Sequence, residues 1–174
     1  MKKSNSMASA EVPSGLSLSP SQDQIINRIL RDLLEKCPAQ FILLAELSGQ
    51  IISVQGETGK TDLIGLGALV AGDLAASQEI ARLTGQYQHA QLILREGPET
   101  ASFISEAGDR MVIYMRIHKE VPMGWARLII QETSRKLAEV TSMPPEEVEK
   151  IDLQLSEDKL DTLIGDGLDS IWHE

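Results

Sequence analysis

The chain has 174 residues, of which 42% are apolar and 24% charged, enough for one buried core with flanking tails. A formal charge of −10 and an aromatic content of 3% argue against nucleic-acid binding, which uses basic stripes and aromatic stacking platforms. A single cysteine excludes an intramolecular disulfide, and the three histidines lie too far apart in sequence for metal-ligand spacing, so we expect no cofactor and a cytoplasmic location.

The N-terminal stretch, residues 1–18, is rich in serine and alanine without periodicity, which predicts a flexible leader outside the fold. Lys2 and Lys3 are not followed by the apolar run of a signal peptide. The sequence also has no uninterrupted stretch of about 18 apolar residues, so we expect no direct membrane insertion.

The first predicted helix begins at Ser19, which precedes Pro20 and has Gln22 three positions on, the pattern of a capping box with proline at the first helical position. Cys37-Pro38 ends it, because the residue before proline disfavours helix. Apolar residues recur between them at helical spacing: Ile25, Ile26, Ile29, Leu30, Leu33 and Leu34.

A hairpin follows, with strands over Gln40–Leu47 and Gln50–Val54 joined by the turn pair Ser48-Gly49. The first strand is apolar on both faces, which predicts a central strand covered on both sides. The segment Thr61–Leu83 lacks proline and is rich in alanine and leucine, so we expect the longest helix there.

The second half of the domain predicts a meander of three strands and a final helix. The strands are His89–Glu96, Thr100–Ala107 and Arg110–His118, separated by glycine-containing turn pairs. Pro122 and Gly124 introduce the last helix, which ends at Met143-Pro144-Pro145. The element order αββαβββα predicts one α+β domain over residues 19–140.

Two glycine patterns suggest a nucleotide cradle and both fail on spacing. Gly56–Thr61 lies between a strand and a helix, but Val54 occupies the place of the first glycine of a Walker-type loop. In the second pattern, Gly65-Leu66-Gly67, Val70 takes the position of the third glycine of a dinucleotide fingerprint. The first segment is therefore interpreted as a polar loop ahead of a helix.

Catalytic nucleophiles are also lacking in the pattern. Ser48, Ser53 and Ser77 have no glycine-flanked elbow around them. Cys37, ahead of a proline at a helix end, is interpreted as a small buried hydrophobe and not as a nucleophile. We expect a protein that is not an enzyme.

The middle helix carries small residues at three- or four-residue steps, which places them on one face: Gly65, Ala68, Gly72, Ala75 and Ala76. Each glycine inside a helix costs about 0.5–1 kcal/mol relative to alanine, so close packing of a neighbour is implied. That neighbour is either the protein's own strands or a helix of a second copy. Larger apolar residues on an adjacent face supply the attachment to the sheet: Leu63, Leu66, Val70 and Leu74.

The segment 141–174 is an acidic tail with ten acidic residues and two lysines. Within it, apolar residues recur at helical spacing: Leu160, Leu163, Ile164, Leu168, Ile171 and Trp172. Gly165 and Gly167 weaken a helix here. Docking on the chain's own dimer, docking on a partner protein, and disorder all remain open.

Three features together resemble the Roadblock family of dynein light chains and its bacterial, MglB-like members. They are the stretch Leu33–Pro38, the hairpin Ala45–Ile52 and the small-residue helix, within the order αββαβββα. Ser48 stands where members often carry aspartate before the turn glycine, which is a mild departure.

The resemblance implies a Roadblock/profilin-like fold, in which a five-stranded antiparallel sheet has the middle helix on one face and the first and last helices on the other. It also implies a homodimer in which middle helices meet and third strands pair. The small-residue face of the middle helix, with Gln91 and Ile93 of the third strand, would then form the dimer interface.

The resemblance further implies a regulator that binds a small Ras-like GTPase and positions the GTPase's own loops. Candidate contacts for this partner are Lys60 and Arg82 near the ends of the middle helix, with Leu168 and Trp172 in the tail. The alternative is a scaffold subunit of a larger motor or signalling assembly with no direct GTPase role.

Overall fold

The first helix, α1 (Pro20–Lys36), begins at the predicted capping box in the computed structural model, which describes residues 16–86, 92–144 and 146–148. The Ser19 hydroxyl accepts from the Gln22 amide, and the Gln22 side chain accepts from the Ser19 amide. The helix ends at Cys37, as predicted.

The hairpin consists of β1 (Ala39–Glu46) and β2 (Ile51–Gly56), which pair antiparallel. Gly49 turns the chain with φ of 90°, a conformation that disfavours residues with a Cβ. The middle helix, α2 (Leu63–Leu83), starts at Asp62, whose carboxylate accepts from the Gly65 amide at 3.1 Å. This cap was not anticipated from the sequence.

The remaining elements are β3 (Leu92–Glu96), β4 (Thr100–Glu106), β5 (Met111–His118) and α3 (Met123–Ser142). The five strands form one antiparallel sheet in the order β2-β1-β5-β4-β3, so β2 and β3 lie at its edges. The predicted element order and fold class are confirmed. The predicted third strand begins at His89, and residues 89–91 lie outside the described part.

Two hydrophobic clusters cover the two faces of the sheet. Ile42 and Leu44 of β1 point into the cluster formed with α1 and α3, whereas Leu43 and Ala45 point into the cluster formed with α2. All four side chains are fully buried. The prediction of a central strand covered on both sides is confirmed, and the helices are distributed as the resemblance implies.

The domain begins earlier than the sequence indicated. Leu16 and Leu18 pack against the α1/α3 cluster, and the Leu16 amide donates to the Glu46 carboxylate at 2.8 Å. Residues 16–18 were expected to belong to the leader, because a short extended segment leaves no periodic signal. The remainder of the predicted leader and most of the predicted tail lie outside the described residues.

The thiol of Cys37 is shielded. Its side chain is fully buried, and this burial raises the pKa of the thiol, which disfavours the reactive thiolate. The interpretation of Cys37 as a buried hydrophobe is confirmed.

We expect iodoacetamide to modify Cys37 in the native protein at least about a hundredfold more slowly than in the guanidinium-unfolded chain, because access requires opening of the core. Mass spectrometry of timed samples measures this rate. Comparable rates in the two states would contradict the burial of Cys37.

Candidate protein-binding surface

The inner face of α2 attaches the helix to the sheet. Its buried residues are Gly67, Val70, Ala71, Leu74 and Ala81. A Cβ at Gly67 would lie 2.8 Å from the carbonyl oxygen of Gly49, so only glycine permits this contact between helix and hairpin. The predicted attachment through Val70 and Leu74 agrees with their burial, and Leu63 and Leu66 are partly buried beside them.

Close packing against the protein's own strands is thus carried out by Gly67 and Ala71. Neither belongs to the set of small residues singled out from the sequence, but Ala68 of that set also meets the hairpin, since a Cβ at Gly49 would lie 2.9 Å from the Cα of Ala68. The spacing of residues 67, 71 and 74 around Val70 is the signal that identifies this inner face.

The outer face of α2 comprises exposed small and large apolar residues: Ile64, Ala68, Leu69, Gly72, Ala75, Ala76, Ile80 and Leu83. Apart from the local helix backbone, a Cβ at Gly72 would have no atom of the described residues within 4 Å, so nothing in that part of the chain requires glycine there. Gly65 differs, because a Cβ there would lie 2.6 Å from Oδ2 of Asp62. The helix cap therefore accounts for Gly65 within the monomer.

The large side chains of this outer face are strongly exposed: Ile64 by 80%, Leu69 by 73%, Ile80 by 62% and Leu83 by 72%. Within the described ranges, α2 is the one helix whose length and composition would suffice to cross a bilayer. A helix that is apolar on all sides is ordinarily buried on all sides. The outer face of α2 therefore has the character of a contact surface.

The flank of α2 is tied to the edge strand by an ion pair. Arg95 of β3 lies 2.5 Å from the Asp73 carboxylate, and this hydrogen bond raises the pKa of the Arg95 guanidinium. The pair neutralises the charge of Asp73, which is the one charged residue between Leu63 and Gln78. The ion pair therefore links α2 to β3.

The edge strand β3 pairs with β4 on one side, and its other side carries no strand within the described residues. Ile93 is half-buried and packs against the α2 cluster, whereas Leu94 points to the opposite face and is 46% exposed. An open edge with apolar side chains is a template for pairing with another strand. Gln91, the other predicted interface residue of this strand, lies outside the described residues.

Arg82 and Lys60, predicted as partner contacts, are both exposed but lie at opposite ends of α2, which spans about 30 Å at 1.5 Å per residue. The Arg82 guanidinium donates to both carboxylate oxygens of Glu79 in the same helix, and this hydrogen bond lowers the pKa of Glu79. The structure does not bring the two cations together. Leu168 and Trp172 lie outside the described residues.

Lys60 belongs to a cavity of about 770 Å³, which we call the strand-end cleft. The cleft lies where β1 begins and where β2 and β5 end. Its lining residues are Leu34, Pro38, Ala39, Gln40, Phe41, Gly56, Glu57, Thr58, Gly59, Lys60, Thr61, Arg116 and His118.

The pairing of β1 with β5 brings polar side chains of the two strands together at this cleft. Arg116 of β5 lies opposite Phe41 of β1, so both side chains lie on the α2 face. The amide nitrogen of the Gln40 side chain lies 3.0 Å from Nε2 of His118. The sequence did not reveal Arg116 or His118 as neighbours of Lys60, because that requires knowing that β5 pairs with β1.

No protein-family model matches the chain, and no curated protein matches it. Several solved structures match the chain. MglB from Myxococcus xanthus is 28% identical with a TM-score of 0.63, over 67% of this chain and 94% of its own. An MglB with tetrameric arrangement is 23% identical with a TM-score of 0.68, over 79% and 99%. A Roadblock/LC7 domain from Streptomyces avermitilis is 18% identical with a TM-score of 0.54, over 64% and 90%.

The sheet order, the placement of three helices and these similarities define a Roadblock-type domain. Within that class the chain is similar to MglB, whose structures match it over two thirds or more of its length. The predicted resemblance is thereby confirmed.

Proposed function

We propose that the chain is a non-enzymatic cytoplasmic homodimer that binds and regulates a small Ras-like GTPase. The observation that carries the dimer is the exposed, apolar outer face of α2. Contiguous apolar surface of this kind on a folded domain marks a site of protein association.

A second copy of the chain fits the outer face of α2 better than a groove of an unrelated protein does. Gly72 and Ala76 are one helical turn apart and leave room for another backbone, and Leu69 and Leu83 lie near them as larger side chains. When two identical helices meet about a two-fold axis, the small residues of one helix lie opposite small or large residues of the other helix. The tetrameric arrangement named for one similar MglB is consistent with assembly of this fold.

The edge of β3 supports the same proposal. Pairing of β3 with its copy would satisfy the open edge and continue the sheet through both subunits. Because the ion pair between Asp73 and Arg95 links α2 to β3, the two surfaces would be presented together. The proposed interface therefore comprises Ala68, Gly72, Ala75, Ala76, Gln91 and Ile93, with Gly65 at its margin.

Insertion of α2 into a membrane is the competing explanation of its composition, and we do not favour it. Asp73 and Glu79 are paired with Arg95 and Arg82, so this helix carries no excess of positive charge that would attract an anionic lipid surface. The inner face is also committed to the sheet through Val70 and Leu74.

Regulation of a GTPase is supported by the MglB-like fold, and Lys60 is the described candidate contact that lies in a cleft. The test uses a purified small Ras-like GTPase from the same organism. We expect the dimer to bind it and to change its single-turnover GTP hydrolysis, and we expect Lys60→Ala to weaken binding. Arg127→Ala, an exposed cation of α3, is the matched control.

Absence of both binding and altered turnover would overturn the GTPase proposal while leaving the dimer intact. Purification of the chain from its native cells with a motor or signalling assembly and no GTPase would point to the scaffold role.

A further inference from the structure

The strand-end cleft combines an apolar floor with a cationic rim. Its apolar floor is formed by Leu34, Pro38, Ala39 and Phe41, and the cations of its rim are Lys60 and Arg116, which lie beside the polar side chains of Gln40 and His118. A volume of about 770 Å³ lies within the range of cavities that enclose a ligand group. Such a cavity favours a segment that combines large apolar side chains with carboxylates.

The charge of the cleft differs in sign from that of the whole chain, whose formal charge is −10. Lys60 and Arg116 form no ion pair with a carboxylate among the described residues, and Glu57 is the one acidic residue that lines the cleft there. The rim thus has an excess of positive charge. An acidic occupant would gain from it, because charge complementarity steers and orients association.

We propose that the strand-end cleft is occupied by the distal part of the chain's own acidic tail, residues 160–174. This segment supplies both chemistries, with Leu168, Ile171 and Trp172 for the floor, and Asp166 and Asp169 for the rim. Lys60 is then shared between the tail and the proposed GTPase contact, so the GTPase would have to displace the tail to reach Lys60.

The length of the tail permits this contact. Val148, the last residue described, is fully buried and therefore anchors the start of the tail on the domain. The 20 residues from Val148 to Leu168 span up to about 65 Å when extended, whereas a domain of this size has a radius of gyration of about 14 Å. The segment can therefore reach the cleft from any point on the surface.

The test follows the environment of Trp172 in the full chain. Trp125→Phe removes the other tryptophan and leaves Trp172 as the reporter. We expect iodide and acrylamide to quench Trp172 less in this protein than in a synthetic peptide of residues 149–174. Lys60→Glu and the pair Lys60→Glu/Arg116→Glu are expected to raise quenching to the level of the peptide.

A matched control and a charge exchange make the result specific. Arg127→Glu reverses an exposed charge on α3 and is expected to leave Trp172 protected. Asp166→Lys with Asp169→Lys is expected to restore protection to the Lys60→Glu/Arg116→Glu protein. Circular dichroism checks that each variant is folded. If the half-buried Arg116 does not tolerate a reversal of its charge, the single variant Lys60→Glu provides the test.

Two outcomes would overturn the proposal. One is quenching of Trp172 equal to that of the peptide before any change to the cleft. The other is protection that persists in folded Lys60→Glu/Arg116→Glu protein, which would place the tail elsewhere. The proposal does not depend on the GTPase or on the dimer, since neither enters this measurement.

Discussion

Replacing Gly72 by leucine is expected to convert the dimer into a folded monomer. Beyond the local helix backbone, no atom in the described part of the chain lies within 4 Å of the added Cβ, so the side chain extends from the outer face of α2. Overpacking costs about 1–3 kcal/mol at each site, and a two-fold interface contains the site twice, so the dissociation constant should rise at least about 30-fold. Light scattering over a dilution series measures this change.

The fold itself should gain from the same substitution, because leucine has a higher helix propensity than glycine by about 0.5–1 kcal/mol. Gly124→Leu is the matched control, since position 124 lies in α3 and is also open within 4 Å. Both variants should remain folded, and only Gly72→Leu should dissociate. A Gly72→Leu protein that remains as dimeric as the unaltered chain would show that the outer face of α2 is not the interface.

Replacing Gly67 by alanine is expected to destabilise the fold, although it lies only five residues before Gly72. The added Cβ would lie 2.8 Å from the carbonyl oxygen of Gly49, and a backbone atom has little freedom to move. We expect a loss of about 1–3 kcal/mol in the free energy of unfolding, which outweighs the gain in helix propensity. Chemical denaturation monitored by circular dichroism measures it.

Gly124→Ala is the control for this experiment, because it makes the same chemical change in α3, where no described atom outside the local helix backbone lies within 4 Å of the added Cβ and the proposed dimer interface is not involved. There the free energy of unfolding should stay equal or rise by about 0.5–1 kcal/mol. Equal effects at positions 67 and 124 would mean that α2 does not approach the hairpin as closely as the structure places it.

Local signals in the sequence were sufficient for most of the fold. Ser19, Pro20 and Gln22 specify the start of α1 by contacts within four residues, so the sequence contains the whole interaction. The two-sided apolar pattern of β1 likewise identifies a central strand without knowledge of its neighbours. These features can be predicted because the interacting residues lie close together in the sequence.

The features that the sequence did not reveal depend on long-range approach. Gly67 is required because the hairpin turn at Gly49 comes within contact of α2, and nothing in the local pattern around residue 67 specifies that neighbour. Arg116 reaches the strand-end cleft only because β5 pairs with β1. Leu16 is held by the carboxylate of Glu46, thirty residues away. Such contacts follow from strand order and packing, which periodicity does not encode.

The small-residue pattern of the sequence included some residues of the outer face of α2 and missed others. The small residues at 68, 72, 75 and 76 do face away from the sheet, and they are accompanied by exposed leucine and isoleucine side chains that the small-residue pattern did not include. Gly65 is explained by the Asp62 cap within the monomer. Gly72 is the glycine of α2 for which the described residues supply no steric reason, and the proposed second copy would supply one.

Sedimentation equilibrium of the unaltered chain tests the central claim most directly, because it determines mass without dependence on shape. At micromolar concentration we expect a mass of twice 19.1 kDa or a higher even multiple of it. A mass of 19.1 kDa that does not change with concentration would contradict the claim that the outer face of α2 binds a second copy of the chain.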